Sequence, residues 1–208
     1  MDDELMFKIL FISIYAVFAG VRIFYRTQNI GRTGEKEVTQ WTKATVALSI
    51  AILGYFVSMG LYIVVPQWIQ VFRLSLPLWI RWLGVGLAVV GVALTGWIHH
   101  SLGRQYSAKL EIQEEHQLIT AGPYSRVRHP MYFTLNLFSI SVSLISGNLL
   151  LILFAISVAI PFYWIARIEE RMLTDQFGDE YMDYMERTGR FLPRLSKTEN
   201  KATQQEVV

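Results

Sequence analysis

The sequence predicts an all-α integral membrane protein of five transmembrane helices, the last two closed into a C-terminal helical hairpin. Three observations predict it. Hydrophobic residues make up 52% of the chain and charged residues only 17%, too apolar a balance for an ordinary water-soluble domain. Apolar runs approaching the roughly 20 residues that cross a hydrocarbon core recur along the chain. Basic residues gather in alternate polar segments between those runs, the asymmetry that orients a multi-span protein.

The first run, residues 5–25, follows Asp2, Asp3 and Glu4. A secretory signal carries basic residues there and a small-residue cleavage site behind it, so this run reads as a retained span. The second and third runs are residues 43–65 and 78–98. Between them lies "PQWIQVFRLSLP", which with Trp68, Phe72 and Trp79 reads as an interfacial aromatic belt. A polar stretch then leads to the fourth run, 131–146, and the fifth, 149–168. Only Gly147 and Asn148 separate these two, a turn signal that makes them a tight antiparallel pair. Pro161 removes a backbone donor inside the fifth span and is expected to kink it, freeing a carbonyl near Ser157. Good helix formers in "ARIEERMLTDQF" carry that helix to about residue 176, with Gly178 as its stop. At 1.5 Å per residue the whole is roughly 40 Å long, so its end stands clear of the bilayer.

The chain thus divides into three N-terminal spans (1–100), a core of polar segment, hairpin and C-terminal segment (101–195), and a polar tail (196–208) expected to be disordered. Arg26, Arg32, Lys36 and Lys43 follow the first span. Arg104, Lys109, Arg126 and Arg128 follow the third, and Arg167, Arg171, Arg187, Arg190 and Arg194 the fifth. Five spans put all three groups on one side, with the N-terminus outside and the C-terminus cytoplasmic.

Several functions are excluded at this level. A formal charge of +2, with its basic residues spread over loops, does not fit a nucleic-acid partner. The absence of cysteine removes disulfides, thiolate metal sites and cysteine nucleophiles. No strand leads into a glycine-rich turn, and no phosphate loop is present. His99 and His100 are adjacent and so point to different helical faces, with no carboxylate at a useful spacing, so no metal site is expected.

Helical spacing puts His129, Tyr132, Phe133 and Asn136 on one face of the fourth span. Arg167, Glu170, Arg171 and Thr174 share a face of the protruding helix, at the same cytoplasmic mouth. Pro130 suits the first turn of a helix, where free N–H groups make an anion site, and Arg126 and Arg128 add positive charge beside it. Each element has a plainer reading taken alone. Arg126 and Arg128 are then topology anchors, His129 a capping or packing residue, Tyr124 and Tyr132 interface aromatics, and Glu169, Glu170 and Arg171 a solvated helix face.

Taken together, "HQLITAGPYSRVRHPMY" at residues 116–132, the apolar hairpin, and "RIEERMLTDQFGDEYMDYMERTGRFLP" at 167–193 resemble the isoprenylcysteine carboxyl methyltransferase family. The order and spacing of RHPxY, EE and FGxEYxxY carry the resemblance, and "GPYS" and "RFLP" resemble its bacterial and archaeal members more than the eukaryotic ones. The resemblance implies an integral membrane enzyme with a cytoplasmic cofactor pocket. Such an enzyme moves a methyl group from S-adenosylmethionine to the C-terminal carboxylate of a prenylated cysteine, or of a similar isoprenoid-bearing acceptor drawn from the bilayer. Its cofactor contacts fall on Gln113 (with Lys109 competing), His116, Leu118, Ile119, Tyr124, His129, Pro130, Met131, Tyr132 and Glu170. Its substrate-facing arginine falls on Arg167, which with Glu170 forms the implied catalytic pair; no metal is implied. The same core occurs in phospholipid N-methyltransferases, which leaves an amine or thiol acceptor open, and membrane sterol reductases share the hairpin and would use the pocket for NADPH. A non-catalytic scaffold explains the spans but not polar clusters converging at one mouth.

The residues suit the implied cofactor. The start of the helix at Pro130 offers an anion site, Glu170 a counter-charge, and Leu118, Tyr124 and Tyr132 an apolar and aromatic slot. A carboxylate acceptor is already ionised at neutral pH and needs no base, so its methylation depends on alignment and on removal of water. Arg167 is suited to hold that carboxylate with its guanidinium fork.

Overall fold

The computed structural model describes residues 3–28, 43–102 and 118–194, and these are helical almost throughout. Helix α1 is Asp3–Gln28, α2 Lys43–Val64 and α3 Leu78–Leu102. After a 3-10 turn at Gly122–Ser125 come α4 (Pro130–Ser146), α5 (Leu149–Ser157), α6 (Ala159–Phe177) and α7 (Asp179–Arg187). The tail 196–208, and with it Arg32, Lys36, Arg104 and Lys109 of the basic segments, lies outside the described residues.

Four helical stretches are long and apolar enough to cross a membrane: α1, α2, α3 and the α5–α6 stretch Leu149–Phe177. The fourth expected span, α4, has 17 residues. At 1.5 Å each that is about 26 Å, short of the roughly 30 Å core. It nevertheless runs the length of the bundle beside α3. A β-carbon at Gly84 would sit 2.8 Å from the Ser141 carbonyl oxygen, and one at Gly91 would touch Phe138 at 3.3 Å, so the two helices lie antiparallel with backbones in close approach. A side chain at Gly84 would force them apart.

Contacts at the two ends set the directions of the other helices. Glu4 at the start of α1 pairs with Arg81 at the start of α3, and Tyr25 near the end of α1 stacks on His99 near the end of α3 at 5.1 Å. The two helices therefore run parallel. Phe7, Phe11 and Phe18 on α1 are buried, Phe7 against Trp82 of α3 (5.5 Å), Phe11 against Tyr62 of α2 (5.1 Å) and Phe18 stacked on Phe138 of α4 (3.7 Å). Arg81 is a cation within a span and is 5% exposed. Its Nη1 donates to Glu4 Oε1 (2.6 Å), its Nε to the Ile145 carbonyl (2.9 Å), and its guanidinium covers the Phe7 ring at 4.0 Å. A charge at that depth persists because it is paired.

The hairpin turn forms where its sequence signal lies. Gly147 adopts φ 61°, and Asn148 caps α5 by accepting from Leu150 N (3.0 Å) and Leu151 N (3.4 Å). The Asn148 amide also donates to Ile69 O (3.0 Å), and Leu74 N donates to Gly147 O (2.7 Å), so the turn is fastened to the α2–α3 connection. In that connection Trp68 and Phe72 are exposed, as is Trp79 at the start of α3. The expected kink appears as a break at Val158 between α5 and α6, one turn before Pro161. The helix ends at Gly178, as its sequence predicts. Helix α7 beyond it has no counterpart in the sequence expectations. It carries Asp179 and Glu180 in its first turn and Arg187 in its last, and buries Tyr181 and Tyr184.

Candidate active site

The end of the bundle opposite the hairpin turn gathers the start of α4, the last turns of α6, and α7 with the segment behind it. Backbone bonds join them: Arg128 N donates to Gly189 O (2.9 Å), His129 N to Arg190 O (2.9 Å), and Gly189 N to Arg126 O (3.1 Å). This short parallel bridge needs glycine, since a β-carbon at Gly189 would overlap the Leu192 carbonyl. The Tyr184 hydroxyl donates to Tyr124 O (2.6 Å), fastening α7 to the 3-10 turn. Burial pushes the Tyr184 phenol up to about 12 against the pull of Arg128 and Arg187, so it remains a donor.

Glu170 lies at the centre, 6% exposed and facing inward from the charged C-terminal half of α6. Oε1 accepts from Arg128 Nε (2.9 Å), and Arg190 closes on the carboxylate with Nε at 3.0 Å from both oxygens and Nη2 at 2.5 Å from Oε2. Arg128 also donates through Nη1 to Met185 O (3.0 Å) and Thr188 O (2.5 Å), which satisfies carbonyls at the end of α7. A buried carboxylate with this many charge-assisted donors is a brace that locks three chain segments together.

His129 stands between two carboxylates. Nδ1 lies 3.2 Å from Glu169 Oε2 and Nε2 3.4 Å from Glu170 Oε1, the latter outside hydrogen-bond geometry, so Nε2 is buried without a hydrogen-bond partner among the described residues. Burial favours the neutral ring, but Glu169 and Glu170 outweigh it and hold the His129 pKa above its ordinary value. The Tyr132 hydroxyl donates to Glu169 Oε1 (2.5 Å). The Tyr132 ring is stacked between His129 (5.7 Å) and Phe162 (4.7 Å), a column of rings leading from the polar cluster into the apolar interior.

A phospholipid methyltransferase family model matches residues 79–180. Over 127 residues the chain is 30% identical to a cobalt-zinc-cadmium resistance protein of Cupriavidus metallidurans, covering 60% of this chain and 56% of that protein. It is 28% identical over 119 residues to protein-S-isoprenylcysteine O-methyltransferase B of Arabidopsis thaliana, 55% of this chain and 60% of the relative. With the protein-S-isoprenylcysteine O-methyltransferase of Saccharomyces cerevisiae it shares 30% identity over 114 residues, 53% of this chain and 48% of the relative. A solved structure of a eukaryotic intramembrane Ras methyltransferase, isoprenylcysteine carboxyl methyltransferase, has the same fold, with a TM-score of 0.52 and 22% identity over 88% of this chain and 67% of that one. These matches make the chain similar, in sequence and in fold, to the phospholipid and isoprenylcysteine carboxyl methyltransferases. It spans little more than half the length of the first curated relatives it matches, 56% and 57%. The family match takes in Arg128, His129, Tyr132, Glu169 and Glu170 and stops before Arg190.

Of the residues that the family resemblance singles out, His129, Tyr132 and Glu170 meet in this cluster, and buried Pro130 and half-buried Met131 form the first turn of α4 beside it. Leu118 and Ile119 are half-buried in the segment before the 3-10 turn that holds Tyr124. Gln113, its competitor Lys109, and His116 lie outside the described residues. The Arg167 guanidinium covers the exposed Trp164 ring at 5.7 Å and makes no hydrogen bond in the cluster. Arg128 had a reading only as an anchor or a neighbour of the anion site, and Arg190 only as an anchor; both clamp Glu170. No local signal marks them, since Glu170 lies among Arg167, Glu169 and Arg171, and its burial follows from the packing of α4 and α7 against α6.

Proposed function

We propose that the protein is an S-adenosylmethionine-dependent methyltransferase acting on the carboxylate of a prenylated cysteine or similar isoprenoid-bearing acceptor drawn from the bilayer. The single observation that carries this reading is the His129–Glu169–Glu170 cluster at the start of α4, built on the residues of the family motifs. The residues fit the cofactor. Three cationic side chains (Arg128, His129 and Arg190) face two carboxylates, an excess of positive charge suited to an amino-acid carboxylate. The buried His129 Nε2 has a hydrogen-bond position open, and the ring column supplies an apolar slot. When bound, the cofactor supplies an electrophilic methyl group. Leu118, Ile119, Tyr124, Pro130, Met131 and Tyr132 would wall it, and the family resemblance adds Gln113 and His116, which lie outside the described residues. Glu170 positions Arg128, Arg190 and His129. Arg167 orients the acceptor carboxylate by turning from Trp164. No base is needed, because the acceptor is ionised.

In the same reading all five apolar helical stretches cross the bilayer, with the site and C-terminus cytoplasmic. The support is electrostatic: Arg73 and Arg81 at the hairpin-turn end are paired with Glu4, whereas Arg22, Arg26, Lys43, Arg126 and Arg128 gather at the other.

Calorimetry on purified protein in detergent, with S-adenosylhomocysteine and with NADPH, tests the reading. Micromolar binding of the first, lost in Glu170→Ala, is expected; a preference for NADPH overturns it. The phospholipid family model favours a second acceptor class, an amine. A methylation rate flat between about pH 6 and 9 marks a carboxylate acceptor, whereas one rising with an alkaline pKa marks an amine or thiol.

A further inference from the structure

Tyr181 on α7 is 1% exposed, and its hydroxyl is buried with no hydrogen-bond partner among the described residues. The ordinary account of a tyrosine on the inner face of a short amphipathic helix is that its ring is a packing anchor whose hydroxyl finds an acceptor or reaches water. Tyr184, one turn on with its ring 5.8 Å away, fits that account by donating to Tyr124 O at 2.6 Å. Tyr181 does not. As an anchor alone, phenylalanine would serve better, since burying a hydroxyl without a partner costs free energy that a ring hydrogen does not.

The charges around the hydroxyl explain what it lacks. Burial pushes the Tyr181 phenol up, and Glu170 pushes it further while Arg128 opposes, so the hydroxyl keeps its proton beside a carboxylate. A donor next to an anion stays unpaired where the anion is already filled. Each carboxylate oxygen has two acceptor positions. Oε1 of Glu170 accepts from Arg128 Nε and Arg190 Nε, and Oε2 accepts from Arg190 Nε and Nη2. Of the two arginines, Arg190 is the one an incoming ligand meets. Its side chain is 29% exposed against 10% for Arg128 and lies over the exposed Tyr163 ring at 5.3 Å, whereas Arg128 is tied to Met185 O and Thr188 O.

We infer that Tyr181 is a positioning residue: when Arg190 turns from Glu170 to the carboxylate of an incoming amino-acid moiety, the Tyr181 hydroxyl takes the position it leaves on Oε2. That the ligand is S-adenosylmethionine or its product rests on the function proposed above. No covalent bond changes in the exchange; a charged donor leaves the carboxylate and a neutral one arrives. Without the second donor, ligand binding would leave Oε2 of a buried carboxylate unmet, and affinity would fall by that cost. With it, one arginine serves the fold before binding and the ligand after it.

The test compares Tyr181→Phe with Tyr184→Phe in the full chain in detergent. Before ligand is added, Tyr181→Phe should keep the wild-type Tm or raise it, because it removes a hydroxyl without a partner. Tyr184→Phe should lower it by severing the bond to Tyr124 O. Calorimetry should then find S-adenosylhomocysteine bound about tenfold more weakly by Tyr181→Phe than by wild type. A ring that only packs would leave that affinity unmoved. Arg190→Met forces the exchange without any ligand, and on that background Tyr181→Phe should lower Tm by about 3 °C or more. A fall in Tm from Tyr181→Phe alone, an affinity within about twofold of wild type, or no fall on the Arg190→Met background overturns the inference. If S-adenosylhomocysteine does not bind the wild type but the Tm pattern holds, the methyltransferase reading fails and the exchange on Glu170 stands.

Discussion

Replacing Arg190 by glutamine tests whether the clamp on Glu170 contributes as its geometry implies. Oε1 of Glu170 keeps Arg128 Nε at 2.9 Å, but both donors to Oε2 come from Arg190, at 3.0 and 2.5 Å. The substitution therefore leaves one oxygen of a buried carboxylate unmet. Severing a fully buried ion pair costs about 3–5 kcal/mol, and losing a hydrogen bond to a charged group costs about 1.5–3 kcal/mol. The Arg190 side chain is 29% exposed and Arg128 remains, so the lower range applies. A loss of about 2–3 kcal/mol corresponds to a Tm lowered by about 4–12 °C in a chain of this size. Thermal unfolding in detergent measures it, and a cycle with Glu170→Gln isolates the pair, with a coupling above about 1 kcal/mol expected. Arg190→Lys should recover only part, because an ammonium cannot span both oxygens. A Tm within about 2 °C of wild type, or additivity within about 0.5 kcal/mol, would refute the clamp.

Two further outcomes follow from the structure. His129 has its pKa raised in the folded protein by Glu169 and Glu170, so its contribution is full below the unfolded value of about 6.5 and is lost as pH rises through the folded value. The Tm of wild type relative to His129→Gln should therefore fall from about pH 6.5 upward; parallel curves from pH 6 to 9 would contradict it. Asn148→Ala removes the α5 cap and leaves the Ile69 carbonyl without its donor at 3.0 Å. A cost of about 2–4 kcal/mol is expected, read as lower thermal stability without loss of S-adenosylhomocysteine binding.

What the sequence makes legible is what lies in local pattern. Apolar length locates the long helices, "GN" locates the turn, and Pro161 and Gly178 locate a break and a stop. Each acts within a few residues of itself. Helix α7 was not legible as a span, because five of its nine residues are charged and leave no apolar run, and the residues it buries are Tyr181 and Tyr184. The gathering of His129, Tyr132 and Glu170 at one mouth was legible from helical spacing and the hairpin, but the arginines that hold Glu170 were not. Arg128 lies 42 residues from Glu170 and Arg190 20, separations for which no helical period exists. Arg81 could have been read from elementary electrostatics, as a cation placed inside an apolar run that had to find an anion.

The bridge between residues 126–129 and 189–190 also imposes an order of assembly. At the usual 5–20 residues per second, the ribosome adds the 20 residues from Glu170 to Arg190 in about 1–4 s. For that interval the newly inserted helix carries its carboxylate with half of its eventual partners unmade. The end that holds the candidate site is thus the last part of the molecule to be finished, and a chain lacking Gly189 and Arg190 would hold every apolar helix yet no completed clamp on Glu170.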